Sequence, residues 1–173
     1  MSSGHRSPLR GAVDRAGAVL FEYHGVPLPR HFGDPAAEYA AATSGLAVFD
    51  RSHRTRLLVR GRSPGLMLKG VLSGVMPELP GALEGGAWKG RFTYHAVLTP
   101  KARMVTDLWA TLLGDETEAG YLLDVPVAGR RGALESFAKL LPPRFAALED
   151  VSERTAMITA VGPSAATALS RAA

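Results

Sequence analysis

Cysteine is absent from this sequence of 173 residues, which excludes disulfides, thiolate metal sites and cysteine nucleophiles. Aromatic residues make up only 7% and the net charge is only +4, so the stacking and basic surface that bind nucleic acid are not indicated. No apolar run reaches the roughly 18 residues of a membrane span, and the N-terminus lacks the apolar segment of a signal peptide. We therefore expect a cytoplasmic protein that binds neither membranes nor nucleic acid.

The remaining composition fits a globular domain with a buried core. Hydrophobic residues make up 46% of the chain and charged residues 21%, which is the balance of an ordinary folded protein. A chain of this length can bury about two-thirds of its unfolded surface. The chain has 5 histidines, but none of them form the His-x-His or His-x-x-x-His spacing that favours a metal site. We expect no metal centre.

Turn and capping signals divide the chain into strands and helices. Residues 1–16 show no apolar periodicity and are predicted to be a flexible lead-in to a domain over residues 17–173. An Asp-Pro pair beginning at Asp34 predicts the start of a helix over residues 34–44. Strands are predicted at residues 18–23, 46–49, 56–60, 92–98, 104–113, 121–125, 145–148 and 156–161. We therefore expect an α+β fold with a largely antiparallel sheet and packed helices.

One predicted hairpin carries polar groups suited to ligand binding. Its turn lies at residues 99–102, and counting outward from the turn brings Tyr94 near Asp107 on adjacent strands. A phenol and a carboxylate so placed can hold a heteroaromatic amine by stacking and charge-assisted hydrogen bonds. The alternative is an exposed cross-strand pair without a ligand, and the spacing alone favours this alternative.

A cluster of arginines alternates with apolar residues at the start of the predicted central strands. Its members are Arg51, Arg54, Arg56, Arg60 and Arg62. This pattern is typical of a solvated strand face, and weak anion binding is the alternative.

Several blocks, in order, resemble the glycine-cleavage T-protein-like folate-binding superfamily, and within it the YgfZ-type folate-binding proteins. The segment at residues 21–29 is similar to the opening of that family, and residues 49–53 carry its Phe-Asp-x-Ser-His signature. The hairpin with Thr-Pro-Lys-x-Arg at residues 99–103 and the Gly-Pro pair at residues 162–163 also match. The resemblance covers about residues 17–170 and supports the expected fold.

The resemblance implies that the chain binds tetrahydrofolate, or a one-carbon derivative of it, in a central cavity. Tyr94 would line this cavity, Thr106 and Asp107 would lie near the pterin, and Leu123 and Val125 would supply an apolar wall. The aminomethyltransferases of the superfamily carry two consecutive acids on the second hairpin strand, and here Thr106 replaces the first of them. A hydroxyl does not act readily as a carboxylate-type base. The family's hairpin glycine is Ala102 here.

The loss of the first acid is similar to YgfZ-type members. It predicts a tetrahydrofolate-binding protein that supports the assembly or repair of iron–sulfur proteins, which would then be its partners. The first alternative is a folate-dependent aminomethyl- or methyltransferase that uses Asp107 in place of the lost acid. The second alternative is an interaction module that has lost its ligand. The YgfZ motif Lys-Gly-Cys-Tyr-x-Gly-Gln-Glu is absent from the sequence. We therefore interpret the chain as the N-terminal portion of the family architecture, either a fragment or a natural half-length relative, and a second chain is one candidate for completing the cavity.

Overall fold

A computed structural model describes residues 7–82, 84, 88–114 and 120–172 of the protein. Its elements, in chain order, are α1 (Arg10–Arg15), β1 (Val19–Tyr23), β2 (Val26–His31), α2 (Pro35–Ser44), β3 (Ala47–Asp50), β4 (Thr55–Arg60), α3 (Pro64–Lys69), β5 (Gly81–Ala82), β6 (Trp88–Lys89), β7 (Phe92–Leu98), β8 (Met104–Leu113), β9 (Gly120–Val125), α4 (Arg130–Leu140), β10 (Ala147–Asp150), β11 (Ile158–Val161) and α5 (Ala165–Ala172). They fall into two compact units. The central unit is residues 54–151, and the discontinuous unit is residues 1–53 with 152–173.

The central unit is built on a five-stranded sheet with strand order β10-β4-β9-β8-β7. Every neighbouring pair in this sheet is antiparallel. The predicted α+β class with a largely antiparallel sheet is therefore confirmed.

The core of the central unit lies on one face of this sheet. Alternate residues of each strand point to this face, and helices α3 and α4 contribute Leu68 and Phe137 to it. The largest side chains buried there include Phe137, Leu57, Leu68, Leu108 and Leu123. Burying side chains of this size stabilises the fold by about 1.5–3 kcal/mol each. The opposite face of the sheet carries the polar and aromatic residues considered below.

The β7–β8 hairpin forms as the sequence predicts. The amide of Thr99 donates to the carbonyl of Arg103 over 2.8 Å, and the amide of Ala102 donates to the carbonyl of Thr99 over 2.9 Å. Ala102 adopts φ 57°, a left-handed conformation that glycine adopts without the cost of about 1–2 kcal/mol paid by other residues. Ala102 therefore occupies a turn position whose backbone suits glycine.

The discontinuous unit contains two short antiparallel ladders, β1–β2 and β3–β11. His24 and Gly25 connect the first pair with φ 50° and 77°, the positive angles of a tight hairpin turn. Helix α2 begins where predicted, because the carboxylate of Asp34 accepts a hydrogen bond from the amide of Ala36 over 2.9 Å. Helix α5 follows the Gly-Pro pair at residues 162–163.

The lead-in expected over residues 1–16 contains helix α1, which the sequence pattern does not predict. Val13 is buried at 7% exposure, and the hydroxyl of Ser7 donates to Asp50 over 2.8 Å. The same carboxylate accepts from the amide of Ser52 over 2.8 Å. These contacts tie the segment to the rest of the discontinuous unit.

Among the residues that the structure describes, none of the helices combines the length and the apolar character of a membrane span.

Candidate functional site

The sheet face opposite the core of the central unit presents aromatic and acidic side chains. We call it the open face and define it by Phe92, Tyr94, Asp107, Trp109 and Asp124. These residues alternate along β7, β8 and β9 with the buried positions of the same strands. The aromatic rings remain accessible, with Tyr94 55% exposed and Trp109 43% exposed. This face therefore offers stacking surfaces and the carboxylate of Asp107 to a ligand.

Tyr94 and Asp107 lie together on the open face, as the spacing of the hairpin predicts. The phenol of Tyr94 donates a hydrogen bond to Oδ2 of Asp107 over 2.8 Å. Tyr94 is the register partner of Trp109, and their ring centroids are 5.0 Å apart with planes inclined at 54°. The two rings and the carboxylate form one continuous polar and aromatic patch.

Thr106 lies on the opposite side of the same strand. It is 6% exposed, and its hydroxyl donates to the carbonyl of Asp107 over 3.1 Å. A 3-10 turn over Val127–Gly129 covers it, and Gly129 approaches so closely that an added Cβ would lie 1.9 Å from Thr106 Oγ1. The structure does not bring the Thr106 side chain beside Asp107, because consecutive side chains of a strand alternate between faces.

Leu123 and Val125, predicted to supply an apolar wall of the cavity, also lie on the core face. Both have 0% exposure and belong to the main hydrophobic core. Their strand β9 turns Leu122 and Asp124 toward the open face instead. The ligand-binding roles predicted for Thr106, Leu123 and Val125 stay predictions. Their burial does not support direct contact with a ligand on the open face.

Sequence reasoning missed a partly buried ion pair beside the patch. Asp124 is the register partner of Trp109, and its two carboxylate oxygens lie 2.7 Å and 2.8 Å from Nε of Arg54. The side chains of Arg54 and Asp124 are only 14% and 16% exposed, and Arg56 is 3% exposed. The solvated face expected for the arginine cluster is therefore wrong at these positions. The signal that could have found the pair is Asp124, an acid within an apolar strand.

Comparison with known sequences decides the family. Residues 9–173 match the GCVT N-terminal domain family. The chain belongs to that family. An aminomethyltransferase from Thermus thermophilus is 31% identical over 165 residues, which cover 95% of this chain and 44% of the relative. An aminomethyltransferase from Geobacillus kaustophilus is 29% identical over 168 residues, covering 96% of this chain and 42% of the relative.

A solved structure shows the same fold. The glycine cleavage system aminomethyltransferase T from Bartonella henselae superposes with a TM-score of 0.78 at 19% identity, covering 97% of this chain and 44% of that one. The expected resemblance to the T-protein superfamily is confirmed. This GCVT domain spans less than half the length of the relatives it matches.

The discontinuous unit of the GCVT domain contains a separate cavity of about 900 Å³. It is lined by residues of α1 and β2 together with Asp50, His53 and Glu153. None of the predicted site residues is among those that line it. Of the predicted site residues, Tyr94 and Asp107 lie on the open face, whereas Thr106, Leu123 and Val125 are buried in the central unit.

The hydrogen bond to Asp107 raises the pKa of Tyr94 above its usual value of 10.0, and burial and the negative charge of Asp107 add to the effect. The raised pKa means that this contact stabilises the folded chain below pH 10.0 and that its contribution is lost as the pH rises through the raised value.

Asp107→Asn is expected to lower the pKa of Tyr94, because it removes the negative charge that accepts the hydrogen bond of the phenol. The difference between the alkaline absorbance titrations of the wild type and of the Tyr94→Phe variant isolates the Tyr94 phenol. Tyr121, whose pKa is raised by burial, is the internal reference, and an unchanged Tyr94 curve in Asp107→Asn would contradict the assignment.

Proposed function

We propose that this GCVT domain binds a reduced folate on the open face of its central unit. The observation that supports the proposal is the Tyr94–Asp107 hydrogen bond beside the ring of Trp109. A tetrahydropterin has a flat conjugated edge with N–H groups, so it can stack on an aromatic ring while a carboxylate accepts its hydrogen bonds. Tyr94 orients the carboxylate of Asp107, and Trp109 supplies the stacking surface.

The buried residues of the predicted site take a different role in this proposal. Thr106, Leu123 and Val125 pack on the core face of the strands that carry Asp107 and Asp124. They support the site by fixing those strands and do not contact the pterin. The missing acid at Thr106 therefore removes no hydrogen-bond acceptor from the open face.

Calorimetry of the full 173-residue chain with 5-formyltetrahydrofolate tests the proposal. Asp107→Asn is expected to weaken binding by about tenfold or more, because hydrogen bonds to charged groups contribute about 1.5–3 kcal/mol. Glu135→Gln is the matched control, since it also removes a carboxylate but one that pairs with Arg131 on helix α4. Equal affinity of Asp107→Asn and the wild type would exclude the open face as the folate site. No heat of binding with the wild type would refute folate binding and favour the ligand-free interaction module.

Aminomethyl transfer is the second candidate, and the name shared by the curated relatives favours it. In this chain the reacting carboxylate would be Asp107 acting from the open face, since Thr106 points into the core. Folate-dependent turnover of an aminomethyl donor, abolished in Asp107→Asn while its unfolding curve stays unchanged, is the result that this candidate requires. Turnover that persists in Asp107→Asn would remove Asp107 from the reaction.

The iron–sulfur role implied by the YgfZ resemblance is supported only by the acid missing at Thr106. The relatives named above are aminomethyltransferases, and they favour transfer chemistry over that role. Iron–sulfur partner proteins, a second chain that completes the cavity and a cytoplasmic location stay predictions.

A further inference from the structure

We propose that the open face also binds organic ammonium ions, methylated ones above all, in a half-cage formed by Tyr94, Trp109 and Asp107. The inference rests on the face proposed above as the ligand site, but it does not require that folate binds there. It names a second class of ligand for this surface, which is a bulky organic cation.

The two rings provide the walls of the half-cage. Their centroids are 5.0 Å apart and their planes are inclined at 54°, so the rings meet at an angle instead of stacking face to face. Both rings are about half exposed, at 55% for Tyr94 and 43% for Trp109, and a ligand can reach their surfaces. The face of an aromatic ring attracts cations through its quadrupole, and tryptophan is the best of the aromatic residues at this.

Asp107 provides the negative charge. In the described part of the chain, the ion pairs engage other carboxylates, and the carboxylate of Asp107 accepts its side-chain hydrogen bond from the neutral phenol of Tyr94. Its charge is therefore not compensated by a cation of the protein there. The contrast with Asp124 on the next strand is direct, because Arg54 already neutralises Asp124.

The phenol holds Asp107 in place and leaves it able to bind. The neutral phenol donates to Oδ2 of Asp107 without cancelling its charge, so the carboxylate keeps its negative charge for a ligand cation. The phenol is neutral near neutral pH, because its usual pKa of 10.0 is raised further by this bond. It therefore adds no second negative charge to the site.

The same chemistry disfavours the other small ligands that surfaces commonly bind. An uncompensated carboxylate repels phosphate and other anions. A small hard cation needs several oxygen ligands, whereas the two walls of this site are aromatic. A methylated ammonium is large and weakly hydrated and matches both the rings and the single charge. The occupant that fits is therefore an organic ammonium ion.

Titration of the uniformly ¹⁵N-labelled full chain with tetramethylammonium chloride tests the inference. The protein has 2 tryptophans, and Trp88→Phe assigns the indole N–H signal of Trp109. This signal is expected to shift and to saturate at millimolar ligand, whereas tert-butanol, a neutral analogue of similar size, and sodium chloride at equal ionic strength leave it in place. Equal shifts with tert-butanol would show that the patch is merely apolar and would overturn the inference.

Variants separate the charge from the rings. Asp107→Asn is expected to raise the dissociation constant by about fivefold, the upper end for an exposed charge pair, and Tyr94→Leu by a similar factor through loss of one ring. Tyr94→Phe keeps the ring but removes the hydrogen bond that orients Asp107, so it is expected to raise the dissociation constant by less than Tyr94→Leu does. Glu135→Gln is the charge control. Wild-type affinity in both Asp107→Asn and Tyr94→Leu would overturn the inference.

The folate measurement is independent of this one. If the chain binds tetramethylammonium but gives no heat with 5-formyltetrahydrofolate, the half-cage is supported and the proposed function is refuted. If it binds folate but gives no saturable shift with the ammonium ion, the proposed function is supported and the half-cage is refuted. If both bind, they address the same carboxylate, and folate is expected to weaken the ammonium titration.

Discussion

Gly129→Ala is expected to destabilise the central unit by about 3 kcal/mol, at the upper end of the usual cost of overpacking a filled core. The added Cβ would lie 1.9 Å from Oγ1 and 2.6 Å from Cβ of Thr106, and the second atom belongs to a strand residue that cannot swing away. Gly129 has φ −90° and ψ −8°, a conformation open to alanine. The cost therefore comes from the contact with Thr106 and not from the backbone.

Urea unfolding measures this cost, and Gly70→Ala is the matched control. Gly70 has φ −79° and ψ −12° at the end of α3, and the nearest atom to an added Cβ is 3.5 Å away. The control is expected to change stability by less than about 0.5 kcal/mol. A Thr106→Ala background removes the nearest atom and should recover at least about 1 kcal/mol of the loss, as coupled neighbours do. Similar unfolding curves for Gly129→Ala and Gly70→Ala would show that Thr106 does not face Gly129. Thr106 would then again be a candidate residue of the open face.

The proximity of Tyr94 and Asp107 could be predicted because it depends on local rules. The turn at residues 99–102 fixes the register of the hairpin, and the two-residue period of a strand then places both side chains on one face. The family and the fold class could be predicted too, from blocks such as the Phe-Asp-x-Ser-His signature. Such sequence blocks identify the family without any knowledge of which face of the sheet is buried.

The burial of Leu123 and Val125 is indicated by their strand, because Asp124 interrupts its apolar pattern. In the sequence Tyr121-Leu122-Leu123-Asp124-Val125, alternation places Asp124 with Leu122 on one face and Leu123 with Val125 on the other. Which elements cover the apolar set is visible only in the fold, where helices α3 and α4 pack on it. A polar residue such as Thr106 on that face has no sequence signal, because the space for it comes from Gly129, more than twenty residues later.

Helix α1 shows a second limit of sequence reasoning. It has only 6 residues, too few to form a stable helix by propensity alone. Its order depends on the burial of Val13 and on the hydrogen bond from Ser7 to Asp50, whose partners are 43 residues apart. Contacts of this range become visible only once the chain is folded.

Arg54→Ala is expected to cost about 2–3 kcal/mol in the free energy of unfolding, below the usual cost of breaking a fully buried ion pair, because this pair is partly exposed. The guanidinium contacts both oxygens of Asp124 at 2.7 Å and 2.8 Å, and a further nitrogen lies 3.4 Å from the Asp124 carbonyl. Without Arg54, a carboxylate that is only 16% exposed would lose its counter-charge next to Trp109. The cost is the burial of that uncompensated charge more than the loss of an attraction.

A second ion pair of the same unit supplies the control. Arg131 and Glu135 form a contact of 2.8 Å on α4, but their side chains are 91% and 54% exposed, so Arg131→Ala should lower the free energy of unfolding far less than Arg54→Ala does. The double variant Arg54→Leu with Asp124→Leu should recover most of the stability, because apolar replacement of a whole buried pair is often neutral. Urea unfolding of the four chains measures all three effects. If Arg54→Ala and Arg131→Ala cost the same, Asp124 is hydrated in solution. Its charge would then add to that of Asp107 on the open face.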